Sequence, residues 1–176
     1  MKSTGVVRRV DDLGRIVIPK EIRRTLRIRD GESLEIFVDK ETIALKKFSK
    51  MTDIENVSKE LVDIINSNIN KNILITDRDQ IIAASGTLKK KYMDKNISRY
   101  LEQIMEQRKV VLENSRHFIE VLDDEKDYLS YVICPIIMNG DAIGLFLILS
   151  ENDDINVSDE KVAYVTSQFL GKHIEE

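Results

Sequence analysis

The first 48 residues alternate between period-two apolar runs and one short helical stretch. Val6 to Val10 reads as a strand, Asp11-Asp12-Leu13-Gly14 as a turn, and Arg15 to Ile18 as a second strand in which Ile16 and Ile18 alternate with Arg15 and Val17. Pro19 suits the first position of a helix, because its missing N–H would have no partner there, and Glu21 adds negative charge to the first turn. That helix runs from Pro19 to about Leu26. Leu34 to Val38 and Thr42 to Lys46 predict two more strands around Asp39-Lys40-Glu41. A β-β-α-β-β unit this small builds little core, and without a disulfide or metal it predicts an obligate dimer.

From Met51 to Asn70 the period becomes helical, with Ile54, Val57, Leu61, Ile64 and Ile65 on one stripe. Beyond it, Asn72 to Thr76 and Gln80 to Ala84 predict a hairpin, followed by a lysine-rich loop at Lys89, Lys90 and Lys91. Ser98 is placed to cap a helix through Leu101, Ile104 and Met105. Strands are expected at Val110–Leu112, His117–Leu122, Tyr128–Met138 and Ala142–Leu149, the last two joined by Asn139-Gly140. Ser158 is expected to cap a final helix whose stripe is Val162, Val165, Phe169 and Leu170. The second part therefore reads as α+β, with helices at both ends of an antiparallel sheet of about five or six strands.

Charge separates the two parts. Residues 1–29 carry nine Lys and Arg against three Asp and Glu, so nine minus three gives +6 within a chain of net charge -4, and the rest sums to -10. An arginine-rich segment on an acidic protein points to a polyanion, because the guanidinium fork matches phosphate oxygens. At 100° per residue from Ile22, Leu26 lies at about 40° and Arg23, Arg27, Lys20 and Arg24 lie between about 100° and 200°. Ile22 and Leu26 can rest on the hairpin while the basic face, joined by Arg8 and Arg15, meets a duplex. There is no second helix for a helix-turn-helix and no zinc-finger spacing.

The run Ser3-Thr4-Gly5-Val6-Val7-Arg8-Arg9-Val10-Asp11-Asp12-Leu13-Gly14-Arg15-Ile16-Val17-Ile18-Pro19-Lys20-Glu21-Ile22-Arg23-Arg24-Thr25-Leu26 resembles the AbrB family of bacterial transition-state regulators. The likeness continues through Leu34 to Val38 and Leu45-Lys46-Lys47, and over the whole chain it is greatest to sporulation regulators that append a GAF-like domain. It implies a swapped-hairpin, β-barrel-like dimer over residues 1–50, a linking amphipathic helix at 51–70, and an α+β GAF-like regulatory and oligomerisation domain at 71–176. It further implies double-stranded, A·T-rich DNA as partner, bound by arginines matching Arg8, Arg15, Arg23 and Arg24, and a homotetramer. Arg9 and Lys20 are added from charge and geometry.

What remains is chemistry to weigh against that picture. Cys134, the only cysteine, lies before Pro135 in an apolar strand and reads as a buried, inert thiol. Pro135 suggests a bulge or an edge. His117 and His173 stand apart from any carboxylate pattern, so no metal is expected, and no cofactor or catalytic constellation is seen. The protein reads as no enzyme. No apolar run reaches the roughly 20 residues that span a bilayer, and the start lacks a signal-peptide core, so the cytoplasm is expected. Two other readings remain: an addiction-module antitoxin, disfavoured by the folded second part, and a metabolite sensor whose small-molecule ligand the sequence does not name.

Overall fold

A computed structural model of the chain describes residues 5–48, 55–152 and 154–173. It divides into two compact units, Met1–Phe48 and Ser49–Glu176. Met51 to Ile54, the start of the expected linking helix, lie outside the described residues.

In the first unit, α1 spans Lys20–Thr25, and β1 (Leu34–Asp39) pairs antiparallel with β2 (Thr42–Lys47), Leu34 opposite Lys47. Pro19 takes the N-cap position, one residue before the expected place, and its carbonyl accepts from Arg23 N at 3.0 Å. The two arginine-bearing strands expected at 6–10 and 15–18 do not form as strands among the described residues; one backbone bond, Asp11 N to Arg15 O at 3.1 Å, closes the turn between them. The physical reason is packing. No described residue of this unit is fully buried, and Val7, Leu13, Ile36 and Val38 are 85%, 75%, 65% and 73% exposed. Leu26, expected on the hairpin, is exposed as well, so α1 has no apolar bed within one chain.

The second unit is a five-stranded antiparallel sheet in the order β4-β3-β7-β6-β5, with β3 at Asn72–Thr76, β4 at Ile81–Ser85, β5 at Val111–Ile119, β6 at Asp127–Met138 and β7 at Asp141–Ser150. Helices α2 (Glu55–Ile69) and α5 (Val157–His173) pack on one face, through Val62, Ile65, Ala163 and Leu170. Helices α3 (Lys89–Tyr92) and α4 (Arg99–Gln107) cover the other, through Tyr92, Leu101, Ile104 and Met105. Burial on both faces explains the unbroken apolar run of β7: Phe146 and Ile148 face α2 and α5, while Leu145, Leu147 and Leu149 face α3 and α4.

Several details differ from the sequence reading. The two short strands expected at 110–112 and 117–122 are one strand, β5, whose register slips between Glu113 and His117. The triple-lysine segment is helix α3, held where Lys91 bonds Asp127 and lies 3.6 Å from Glu125. Of the stripe expected on α2, Ile65 is buried and Val57 and Leu61 pack half-buried on the core beside Ser58 and Val62, whereas Ile64 is 58% exposed. In α5, likewise, Val165 and Phe169 turn outward while Ala163, Thr166, Ser167, Leu170 and Gly171 turn inward. Small residues are needed there because α5 runs close to β6: a Cβ on Gly171 would lie 2.1 Å from the Ile137 carbonyl oxygen.

The cap of α5 also moves. Asn156, not Ser158, holds the N-terminus, its Oδ1 accepting from Ser158 N at 2.8 Å and Asp159 N at 3.1 Å, while Asp159 Oδ2 accepts from Asn156 N at 2.9 Å. Asp159 is buried and pairs with buried Lys71, whose Nζ also donates to the Asp154 carbonyl at 2.8 Å. Ser98 caps α4 as expected, accepting from Leu101 N at 3.2 Å. Pro135 stands in β6 beyond the last residue paired to β5, Ile133, at the edge its missing donor requires, and the β6–β7 register slips just after it.

Candidate nucleic-acid interface

The six basic residues singled out by sequence all lie in the first unit, on the turn 11–14, its flanks and α1. Arg8 and Arg9 are exposed on the segment before the turn, Arg8 donating to the Val7 carbonyl at 3.0 Å. Arg15 follows the turn directly. Its Nε donates to Asp11 Oδ2 at 2.7 Å, and its side chain is 71% exposed.

Lys20 and Arg24 are exposed on α1. Arg23 is half-buried: its Nη1 donates to Asp30 Oδ1 at 2.7 Å, and its Nε is enclosed by the fold. Arg27, at φ 51°, reverses the chain as α1 ends, its carbonyl accepting from Lys47 Nζ at 2.8 Å. Sequence reasoning missed the two carboxylates. Asp11 could have been found from its i,i+4 spacing to Arg15 across a turn that ends in glycine; Asp30, seven residues from Arg23, had no such signal.

The turn itself is well determined by local chemistry. Gly14 N donates to Asp11 O at 3.0 Å, and Gly14 sits at φ +77°, the left-handed position that closes a three-residue hairpin loop. Asp11 Oδ1 accepts from Leu13 N at 3.0 Å and Arg15 N at 2.8 Å. The Arg15 backbone N–H, and after it the guanidinium, hold the Asp11 carboxyl below its ordinary range.

Residues 53–175 match the family described as Stage V sporulation protein T C-terminal, transcription factor, and residues 7–52 match the MazE bacterial antitoxin family. Over 178 aligned positions, spanning all of both chains, the sequence is 44% identical to Stage V sporulation protein T of Bacillus subtilis. The chain belongs to the stage V sporulation protein T family. It is a sporulation transcription regulator, and no enzyme. Its first unit is 65% identical over 48 residues to the transition state regulatory protein AbrB of the same organism, covering 27% of this chain and half of AbrB. The GAF domain of an Acinetobacter phosphoenolpyruvate-protein phosphotransferase superposes with a TM-score of 0.57 at 12% identity, over 74% of this chain and 84% of that one, which fixes the fold of the second unit.

In this member of the stage V sporulation protein T family the second unit offers little ionisable chemistry. Cys134 is buried, and burial, then the charge of Glu160, push its thiol up to about 12. His117 Nδ1 lies 3.4 Å from Glu113, and His173 stacks on Phe169. Tyr92, the last residue of α3, is fully buried, its hydroxyl donating to Asp127; burial and that hydrogen bond raise its pKa. Among the described residues no helix is long and apolar enough to cross a membrane.

Proposed function

We propose that Arg8, Arg9, Arg15, Lys20, Arg23 and Arg24 form a surface for A·T-rich duplex DNA, and that two chains complete it as a swapped-hairpin dimer. The observation that carries this reading is a unit whose described residues expose most of their apolar side chains and bury none fully, while its basic residues cluster on the flanks of one turn and on one short helix. A second copy supplies both the missing core and a second arginine surface, which favours roughly palindromic or repeated sites. Arginine clusters without a rigid recognition helix favour shape and backbone readout over a strict base code. A tetramer then follows from the second unit, where Ile64 of α2 and Val165 and Phe169 of α5 are exposed apolar positions on helices of one sheet face. Such a protein acts in the cytoplasm, with a small-molecule ligand of the GAF-like unit as its means of modulation.

The test is fluorescence anisotropy of the intact protein on labelled A·T-rich duplex across a salt series. Log affinity falls against log salt with a slope of about -0.9 per phosphate neutralised. Arg24→Ala removes most of the affinity with circular dichroism and oligomer mass unchanged; normal binding by that variant refutes the surface. The likeness of residues 7–52 to MazE antitoxins supports a second reading, as the DNA-binding half of an addiction module. It is the weaker one, because residues 55–152 and 154–173 form a packed domain rather than a disordered toxin-binding tail.

A further inference from the structure

We propose that Asp11 is the positioning residue for Arg15 in DNA binding: it holds the guanidinium by Nε so that the Nη1–Nη2 edge is left to grip a phosphate. The inference rests on the DNA-surface reading above. Both backbone groups of Asp11 are committed, N to Arg15 O at 3.1 Å and O to Gly14 N at 3.0 Å. Its Oδ1 is committed to two backbone amides, those of Leu13 and Arg15. The carboxylate therefore has one remaining oxygen and one orientation, and that oxygen meets Arg15 Nε at 2.7 Å.

Arginine has five N–H donors, of which Nε supplies one; the four on Nη1 and Nη2 form the outer edge that matches two phosphate oxygens. Neither terminal nitrogen of Arg15 has a partner among the described residues, and the side chain is 71% exposed. Fixing an arginine side chain costs up to about 2 kcal/mol of rotamer entropy. Anchoring it at Nε in the free protein removes part of that cost from binding.

The Arg23–Asp30 pair of the same unit shows the alternative. Asp30 takes Nη1 of Arg23, a terminal nitrogen that a phosphate would use, and Nε there is enclosed. An acidic residue near DNA ordinarily weakens binding by repulsion. Asp11 has the opposite sign, because what it orders is worth more than the charge it adds.

That sign is the test. Asp11→Asn keeps an Oδ1 acceptor for both backbone amides, and hence the turn, but presents an NH2 to Nε. Asp12→Asn removes the same charge one residue along, from a carboxylate with no hydrogen-bond or ion-pair partner among the described residues. Anisotropy is measured for the full chain on one labelled A·T-rich duplex over a salt series, with circular dichroism and oligomer mass checked for each variant.

Asp12→Asn binds as well as the parent or better. Asp11→Asn binds about fivefold more weakly, the scale of one net hydrogen bond, although the protein has become more positive. Its salt slope becomes shallower by about 0.9, one phosphate contact. In an Arg15→Ala background, Asp11→Asn brings no further loss. Asp11→Asn that tracks Asp12→Asn, or that weakens binding equally without Arg15, overturns the inference while the DNA surface stands. Parent protein that does not bind, or Arg15→Ala that binds like the parent, overturns the surface and the inference together.

Discussion

Lys71 and Asp159 are buried together, with side-chain exposures of 6% and 4%, so replacing Lys71 with Met should leave a carboxylate stranded at the start of α5. What remains to that carboxylate is the Asn156 amide at 2.9 Å. The Asp154 carbonyl loses its ammonium donor in the same change. Breaking a buried pair from one side costs about 3–5 kcal/mol, a large share of the roughly 5–15 kcal/mol that holds an ordinary domain folded.

Removing both charges is different. In Lys71→Met/Asp159→Leu no ion is left in the interior, and the residual loss is that of the capping interaction, about 1 kcal/mol. The assay is urea unfolding followed by far-ultraviolet circular dichroism, since the chain has no tryptophan, at one protein concentration because association contributes to apparent stability. A single variant that loses less than about 1 kcal/mol, or a double variant no more stable than the single, would refute the reasoning.

Other consequences can be checked separately. Gly171→Ala places a methyl group 2.1 Å from the backbone oxygen of Ile137, so α5 must lift from β6; overpacking of this kind costs about 1–3 kcal/mol, read as a lower urea midpoint. Cys134, with its thiol pushed up to about 12, stays protonated near neutral pH, so Ellman's reagent should leave native protein unlabelled and react fully in urea; rapid labelling of native protein would contradict its burial. Asp11 should titrate below its ordinary value of 3.8: its depressed pKa means the turn's ionic contribution is complete above that value and is lost as pH falls through the lower one. An NMR titration of the Asp11 carboxyl carbon with a midpoint at or above 3.8 would contradict the bonds drawn to it.

The sheet of the second unit was largely legible in the sequence, because runs such as Leu145 to Leu149 and the Asn139-Gly140 pair state strand and turn locally. Helix faces were harder to read. Both α2 and α5 carry apolar residues around more than one side, so Ile64, Val165 and Phe169 read as part of the core stripe with Val57, Leu61, Ile65, Val162 and Leu170, although only the latter five pack on the core. The true inward faces hold Ser58, Thr166, Ser167 and Gly171, residues selected by closeness to the sheet, which no hydropathy pattern displays. Ser158 reads as the cap of α5 from sequence alone, because Asn156 closes its box with Asp159, whose partner Lys71 is 88 residues away. In the basic unit the cations and their angular spread are legible in the sequence, but in the proposed dimer the segments 6–10 and 15–18 take their edge from another chain, which one chain's residues cannot supply.

In the proposed dimer, an N-terminal unit with no fully buried residue among those described ties the order of the proposed DNA surface to the number of chains in the cell. The concentration of the competent species rises with the square of chain number below the dissociation constant of that dimer, and only in proportion to chain number above it. Below that constant, a twofold change in expression or turnover changes the competent species about fourfold without any change in the proposed surface itself.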